Sequence, residues 1–180
     1  MILSDLTTGQ RIKKIRAHRG IINSLARSNA GHGIELVATA SDDSTVKIWE
    51  CGDEGSRDNV ATWEFGCPVT SVCWGPDGNS VFVGALDNLI HVRAHSPSHF
   101  MCLNLVQVYD LRKNQEVYAL TGHADTPTSI SLSPDGTHIL SPSLSSHTII
   151  HDIRPFSPSP TRVHRILQGQ SIVLTWFQVT

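Results

Sequence analysis

One spacing recurs along this chain of 180 residues and limits the folds open to it. In the stretch 41–50, two aspartates belong to a turn that leads into an apolar strand, and Trp49 stands six positions after Asp43. Aspartate favours turns because its side chain bonds the nearby backbone, whereas valine, isoleucine and tryptophan favour a half-buried strand. A weaker copy places His151 six positions after Ser145. The chain is therefore predicted to repeat one turn-and-strand unit.

The middle copy of this unit is interrupted. Asp87 is followed six positions later by Arg93, and the aromatic residue of the pattern, Tyr109, comes only later. Leaving out residues 92–107, sixteen in number, restores the six-position offset from Asp87 to Tyr109. Without that insertion the two repeat distances are 44 and 42 positions. A period in the low forties with four short strands per unit is typical of propeller blades.

The repeat predicts an all-β fold: a partial β-propeller of about three four-stranded antiparallel blades, in an open arc rather than a closed ring. The predicted divisions are the end of a preceding blade (1–17), a complete blade (18–64), a blade with an insertion (65–121), a degenerate blade (122–169) and a tail outside any blade (170–180). An open arc leaves blade faces uncovered, so we expect a marginally stable monomer, with low order in the insertion and the tail.

The insertion has a second interpretation at the level of the gene. Val92-Arg93 can be encoded by GTAAGA and Gln107 by CAG, which resemble the two ends of an intron, and Leu103-Asn104 can carry a branch-like sequence. We hypothesise that residues 92–107 are a translated, fungal-type intron, and that the tail has a similar origin or is a genuine apolar strand. A mature transcript that retains these codons would contradict the intron hypothesis.

Several of these features resemble the WD-repeat β-propeller family. They are Gly122-His123, Asp43 with Trp49-Glu50, Tyr109-Asp110, and two Pro-Asp-Gly turns at 76–78 and 134–136. In that family, a histidine before the first strand, a serine or threonine on the second, an aspartate in the next turn and a tryptophan on the third strand form a buried hydrogen-bonded set within each blade.

The resemblance implies a structural set of this kind in each blade. The first blade supplies His18, Thr39 or Ser41, Asp43 and Trp49. The middle blade keeps Asp87 and offers Tyr109, but no histidine stands at its start, and the third keeps His123 with Ser145 and His151 at the other positions. We expect these side chains to hold strands together, and we do not expect His18, Ser41 and Asp43 to form a catalytic triad.

Four further stretches are similar to spliceosomal members of the family, namely 108–112, 120–125, 152–156 and 167–169. This resemblance implies a non-enzymatic nuclear scaffold that binds the large U5 scaffold protein and other spliceosome subunits. Arg154, Pro155 and Phe156 are the candidate partner contacts. The alternative is another WD-repeat adaptor, such as a ubiquitin-ligase substrate receptor or a signalling scaffold, and co-purified proteins would distinguish the two.

The remaining sequence features favour neither a catalytic site nor binding to RNA or a membrane. The formal net charge is −2, so the basic run from Arg11 to Arg19 is expected to be a solvated strand face rather than an RNA-binding surface. No apolar run of about 18 residues and no signal-peptide pattern is present, which predicts an intracellular protein. The chain has no phosphate loop, nucleophile elbow or His-Glu-x-x-His motif, so we expect no catalytic site, cofactor or small-molecule substrate.

Two clusters have the residue types of a metal site. His91, His95 and His99 are four residues apart, but Pro97 disfavours the helix that would bring them together. The four cysteines contain no Cys-x-x-Cys pair. We therefore expect reduced structural thiols and no metal site.

Overall fold

The turn-and-strand units form β-strands throughout the part of the chain that the structure describes. In the computed structural model these are residues 1–28, 35–51, 59–78, 80–94, 116–157 and 159–168. The strands are β1 (Ile2–Ser4), β2 (Arg11–Lys14), β3 (Ile22–Arg27), β4 (Leu36–Ser41), β5 (Thr45–Glu50), β6 (Ala61–Glu64), β7 (Val69–Trp74), β8 (Ser80–Ala85), β9 (Ile90–Ala94), β10 (Glu116–Leu120), β11 (Ser131–Leu132), β12 (His138–Pro142), β13 (His147–Asp152) and β14 (Val163–Gln168). None of the described residues belongs to a helix long and apolar enough to cross a membrane.

The strands assemble into three antiparallel sheets of four strands and one separate pair. Strands β3–β6 form the first sheet, β7–β10 the middle sheet and β11–β14 the third sheet, while β1 pairs with β2. Within each sheet every strand pairs with the next one along the chain. The predicted fold class is confirmed, because these sheets are the blades of a partial, open propeller.

The turn after the second strand is the same in all three sheets. Ser44, Asn88 and Ser146 stand at equivalent positions and have φ angles of 65°, 67° and 62°. In the first two turns the preceding aspartate accepts a hydrogen bond from the main-chain N–H two positions later, with Asp43 serving Thr45 and Asp87 serving Leu89. The aspartate side chain thus helps to close a turn that includes a left-handed residue.

The middle sheet separates two apolar clusters because residues on its β8 strand alternate between its faces. Val81 and Val83 point toward the first sheet, where they pack with Ile48, Trp63 and other buried residues. Phe82, which lies between these valines, points the other way into a cluster with Ile139 of the third sheet. The side chains of these three residues are buried, so β8 contributes to both apolar clusters.

The first strand of the third sheet is short for a chemical reason. Ile22 in the first sheet and Val69 in the middle sheet begin strands of six residues, and Pro127 occupies the equivalent position in the third. Proline has no N–H to donate. Pro127 therefore forms only an isolated bridge with Ser143, and regular pairing is limited to Ser131 and Leu132.

Strand β9 extends past Val92, the residue at which the insertion is predicted to start. Strand β9 continues through Val92 to Ala94, and Val92 pairs with Phe82 of β8 and is 3% exposed. The sequence offers a valine at both 92 and 108, and either fits a buried strand position, so the pattern could not tell them apart. The rest of the predicted insertion, Tyr109 and the tail 170–180 lie outside the described residues.

Candidate functional site

The first sheet holds a chain of hydrogen bonds between residues far apart in sequence. His18 precedes β3, Thr39 lies on β4, Asp43 occupies the turn between β4 and β5, and Trp49 lies on β5. Trp49 Nε1 donates to Thr39 Oγ1 at 2.8 Å, and Thr39 Oγ1 lies 2.8 Å from His18 Nε2. His18 Nδ1 lies 3.1 Å from both carboxylate oxygens of Asp43. The four predicted side chains are thus brought together.

The carboxylate of Asp43 sets the direction of these hydrogen bonds. An ionised carboxylate only accepts, so His18 carries its proton on Nδ1 and donates it to Asp43. His18 Nε2 is then an acceptor for the Thr39 hydroxyl, which in turn accepts from Trp49. Each of these side-chain atoms thus donates or accepts a hydrogen bond within the network, as a buried polar network requires for stability.

The same surroundings shift both titrating groups of the network. Burial lowers the pKa of His18, although the hydrogen bond and charge of Asp43 act in the opposite direction. Burial also works to raise the pKa of Asp43, but hydrogen bonds from Thr45, the Arg19 main chain and His18 outweigh it. The pKa of Asp43 is therefore well below its usual range, and its carboxylate stays ionised at neutral pH.

The geometry does not arrange a nucleophile beside a base. Ser41 Oγ accepts a hydrogen bond from the Asp43 main-chain N–H at 3.2 Å and is fully buried. The side chain of His18 is also fully buried, so no substrate atom could reach its imidazole. The arrangement can hold strands together, but it offers no exposed reacting group.

The middle sheet replaces this network with a different contact. Phe65 stands before β7 at the position that His18 has before β3, and its ring lies 5.3 Å from the ring of His91. Asp87 accepts from His91 Nε2 at 2.8 Å, within the same turn and strand. Asp87 therefore keeps an imidazole partner, but from its own hairpin. Phe65 was not among the predicted residues, although its spacing before the strand could have indicated it.

The third sheet keeps the histidine and loses the carboxylate. His123 occupies the position of His18, and its Nε2 lies 2.7 Å from Ser141 Oγ, which donates to the Ile149 carbonyl. Ser145 stands where the first sheet has Asp43. Among the residues that the structure describes, His123 Nδ1 has no hydrogen-bond partner. Its proton is best placed on Nε2, so that the hydrogen bond to Ser141 runs opposite to the one between Thr39 and His18.

The position of Trp49 is taken in the third sheet by His151. Its Nε2 lies 3.2 Å from the Thr121 carbonyl, its Nδ1 has no hydrogen-bond partner in the described part of the chain, and its ring centre is 5.9 Å from that of His123. Burial, together with the charges of His151 and His147, lowers the pKa of His123 to about 4. Burial also lowers the pKa of His151. Both imidazoles are therefore neutral at neutral pH.

The candidate contact stretch after β13 is a rigid turn with an exposed ring. Arg154 donates through Nε and Nη2 to the carboxylate of Asp152, and Arg162 Nη1 donates to the Arg154 carbonyl at 2.8 Å. The Arg154 guanidinium and further hydrogen bonds hold the pKa of Asp152 well below its usual range. Phe156 is 90% exposed. The structure thus presents a large apolar side chain to solvent from a fixed backbone.

The candidate metal ligands are only partly within the described residues. His91 bonds Asp87, while His95, His99 and Cys102 lie outside. Cys51, Cys67 and Cys73 are free thiols, and burial raises the pKa of each. In the described ranges, no three histidine, cysteine or acidic side chains are close enough to hold a metal ion.

Comparison with known families gives a match along three separate segments. The model of the WD domain, G-beta repeat, matches residues 9–50, 58–93 and 114–152. The first and third matches end at the last residues of β5 and β13, and the second ends within β9. Each match thus ends on the third strand of a blade.

Comparison with curated proteins finds relatives that include several splicing proteins. The chain is 34% identical over 165 residues to Pre-mRNA-splicing factor cwf17 of Schizosaccharomyces pombe, covering 92% of this chain and 42% of that protein. It is 33% identical to the U5 small nuclear ribonucleoprotein 40 kDa protein of Bos taurus and 32% to that of Homo sapiens, covering 92% of this chain and 40% of each. The chain therefore spans about two fifths of the length of these relatives.

Proposed function

This chain belongs to the WD-repeat family, and from that premise we propose that it is a non-enzymatic scaffold that binds protein partners during pre-mRNA splicing in the nucleus. The observation that carries the proposal is the similarity over 92% of the chain to relatives named as a splicing factor and as U5 ribonucleoprotein components. The partners that we propose are the large U5 scaffold protein and other spliceosome subunits.

The geometry of the blades supports a binding role over a chemical one. The buried polar sets of the first and third sheets use their side chains to join strands, and the imidazole of His18 is closed to solvent. Rigid sheets leave turns and loops free to vary and to contact partners. A scaffold of this kind needs exposed anchor residues rather than a reactive pocket.

We propose Arg154, Pro155 and Phe156 as one such contact. Phe156 is an exposed aromatic side chain, a residue type that often anchors protein interfaces. The ion pair between Arg154 and Asp152 fixes the backbone that carries it, so that little conformational freedom is lost on binding. The neighbouring Arg154 side chain is half exposed and can add a charged contact at the rim.

Affinity capture of the whole tagged chain from nuclear extract tests both parts of the proposal. We expect U5 ribonucleoprotein proteins to be enriched, and Phe156→Ala to reduce that enrichment about tenfold, the loss typical of an interface anchor. Leu6→Ala is the matched control, because Leu6 is 99% exposed at the other end of the chain. Enrichment of ubiquitin-ligase or kinase subunits instead would overturn the splicing proposal, and equal effects of the two variants would overturn the contact.

A further inference from the structure

A cavity of about 350 Å³ lies between the residues at and after the end of β2 and the first sheet. Four basic residues line it: Lys13, Lys14, Arg16 and Lys47. Ile15, Trp49 and Asn59 complete its wall, and the described residues that line it include no acidic side chain. Positive charge is therefore concentrated at one concave site of a chain whose formal net charge is −2.

The floor of the cavity is fixed. Lys47 Nζ donates to the Ala17 carbonyl at 2.7 Å and lies 6.0 Å from the centre of the Trp49 ring. Lys14 and Arg16, by contrast, are exposed. The lining thus combines one hydrogen-bonded cation with two exposed ones, which suits a compact anion.

The same walls disfavour a nucleic acid. Single-stranded nucleic acid binding relies on aromatic faces on which bases stack. Trp49 is only 4% exposed, its indole N–H is committed to Thr39, and Lys47 lies over its ring. The cavity therefore offers cations without a stacking surface, and its size suits one charged group rather than a length of polyanion.

We propose that this cavity binds a phosphorylated side chain presented by a peptide segment of a protein partner. A phosphate group carries close to two negative charges at neutral pH and several acceptor oxygens. Arg16, Lys14 and Lys47 are the donors from which we expect it to accept hydrogen bonds. The site lies on the first sheet and its N-terminal flank, so it is independent of the splicing assignment and of Phe156.

Fluorescence anisotropy with the whole chain tests the site. The probes are a short labelled peptide of glycine and serine with one central phosphoserine, the same peptide without phosphate, and a short oligouridylate. The test variant is Lys14→Glu with Arg16→Glu. The control is Arg11→Glu with Arg19→Glu, which makes the same charge change on exposed residues of the same run that do not line the cavity.

We expect the phosphopeptide to bind more tightly than both other probes. The test variant should weaken its binding about a hundredfold, or about tenfold for each basic side chain replaced, and the control less than about threefold. Equal weakening by both variants, or equal binding of the unphosphorylated peptide, would overturn the proposal. Tighter binding of oligouridylate with the same weakening on mutation would assign the cavity to nucleic acid and also overturn it.

Thermal unfolding followed by circular dichroism checks that both double variants remain folded. If the test variant unfolds, Lys14→Gln with Arg16→Gln replaces it, and about a tenfold loss of phosphopeptide affinity is then expected because only the charges are removed. No selective loss for this milder pair, relative to Arg11→Gln with Arg19→Gln, would equally overturn the site.

Discussion

The first and third sheets have the same arrangement of strands but different buried hydrogen-bonded side chains. In each, a histidine before the first strand bonds a hydroxyl on the second strand, His18 with Thr39 and His123 with Ser141. Only the first sheet continues this contact to a carboxylate and an indole. The sheets pair alike in their central strands, so the backbone does not need the full network. The network instead adds stability and fixes the protonation of one imidazole.

The largest expected difference comes from removing the hydroxyl in each sheet. Thr39→Val leaves both His18 Nε2 and Trp49 Nε1 without a buried partner, so we expect a loss of about 4 kcal/mol in the free energy of unfolding. Ser141→Ala removes the partner of His123 alone and should cost about 2 kcal/mol. Urea unfolding of the two variants measures this contrast. Equal losses would mean that the network of the first sheet stabilises the protein no more than the single contact between His123 and Ser141 in the third sheet.

The second largest effect concerns pH. The pKa of folded His123 is about 4, below its ordinary value of 6.5. Between pH 6.5 and 4, His123 is therefore protonated in the unfolded chain but neutral in the folded chain. Its contribution to the free energy of unfolding is fully present above pH 6.5 and is lost as the pH drops toward 4. We expect a loss of about 3 kcal/mol from this group, and the lowered pKa values of His151 and His18 act in the same direction.

The carboxylates titrate in a different window. The pKa of Asp43 is lowered from 3.8, so its contribution is present above that value and is lost only at more acidic pH. Urea midpoints measured from pH 7.5 to 4.5, together with the NMR titration of the His123 ring, separate the two groups. A flat stability profile between pH 6.5 and 4.5 would contradict the assignment to buried neutral histidines.

A stabilising substitution would sharpen the comparison further. Ser145→Asp places a carboxylate at the position equivalent to Asp43, where it can accept from His123 Nδ1 once the ring proton moves from Nε2 to Nδ1 and the Ser141 hydroxyl donates to Nε2. We expect a stabilisation of about 1 to 2 kcal/mol at pH 7.5 and a raised pKa for His123. Asp43→Ser is the reciprocal change in the first sheet and should destabilise. Destabilisation by Ser145→Asp would show that the third sheet cannot accommodate the hydrogen-bonded network of the first sheet.

The smallest effect is expected at the shared left-handed turn position. Asn88 occupies it in the middle sheet, whereas Ser44 and Ser146 occupy it in the others. Asparagine tolerates this conformation better than serine, so Ser146→Asn should stabilise the chain by about 0.5 kcal/mol. Thermal unfolding measures the shift, and Ser129→Asn, the same substitution at an exposed position, is the control. A shift no larger than that of the control would argue against strain at the turn.

The sequence predicted the frame because turn and strand signals are local. The offset from Asp43 to Trp49 reflects two positions of one hairpin, and it persisted where Ser145 and His151 replaced the original residues. The choice between Thr39 and Ser41 could not be made from spacing, since both are hydroxyls on one strand. Their distinct roles depend on which hydroxyl faces His18, and that requires the pairing of β4 with its neighbours.

Other features depended on contacts that no local pattern carries. The bond from Lys47 to the Ala17 carbonyl joins two segments 30 residues apart. The cavity beside it forms only when the segment after β2 lies against β5, so the basic run alone suggested a solvated face. Val92 belongs to β9 because it pairs with Phe82 and is buried there. The spacing between repeats carries no information about either strand pairing or burial, so it could not predict this.

The placement of Phe82 between Val81 and Val83 has a consequence for the order in which the molecule melts. Because the two clusters share only the middle sheet as a wall, loosening of the third sheet in mild acid would uncover Phe82 while the valines stay covered. Such an array opens one unit at a time from a weak end, as in a one-dimensional stack with nearest-neighbour coupling. Amide protons of β12 and β13 would then exchange before those of β4 and β5, with β8 as the boundary between them.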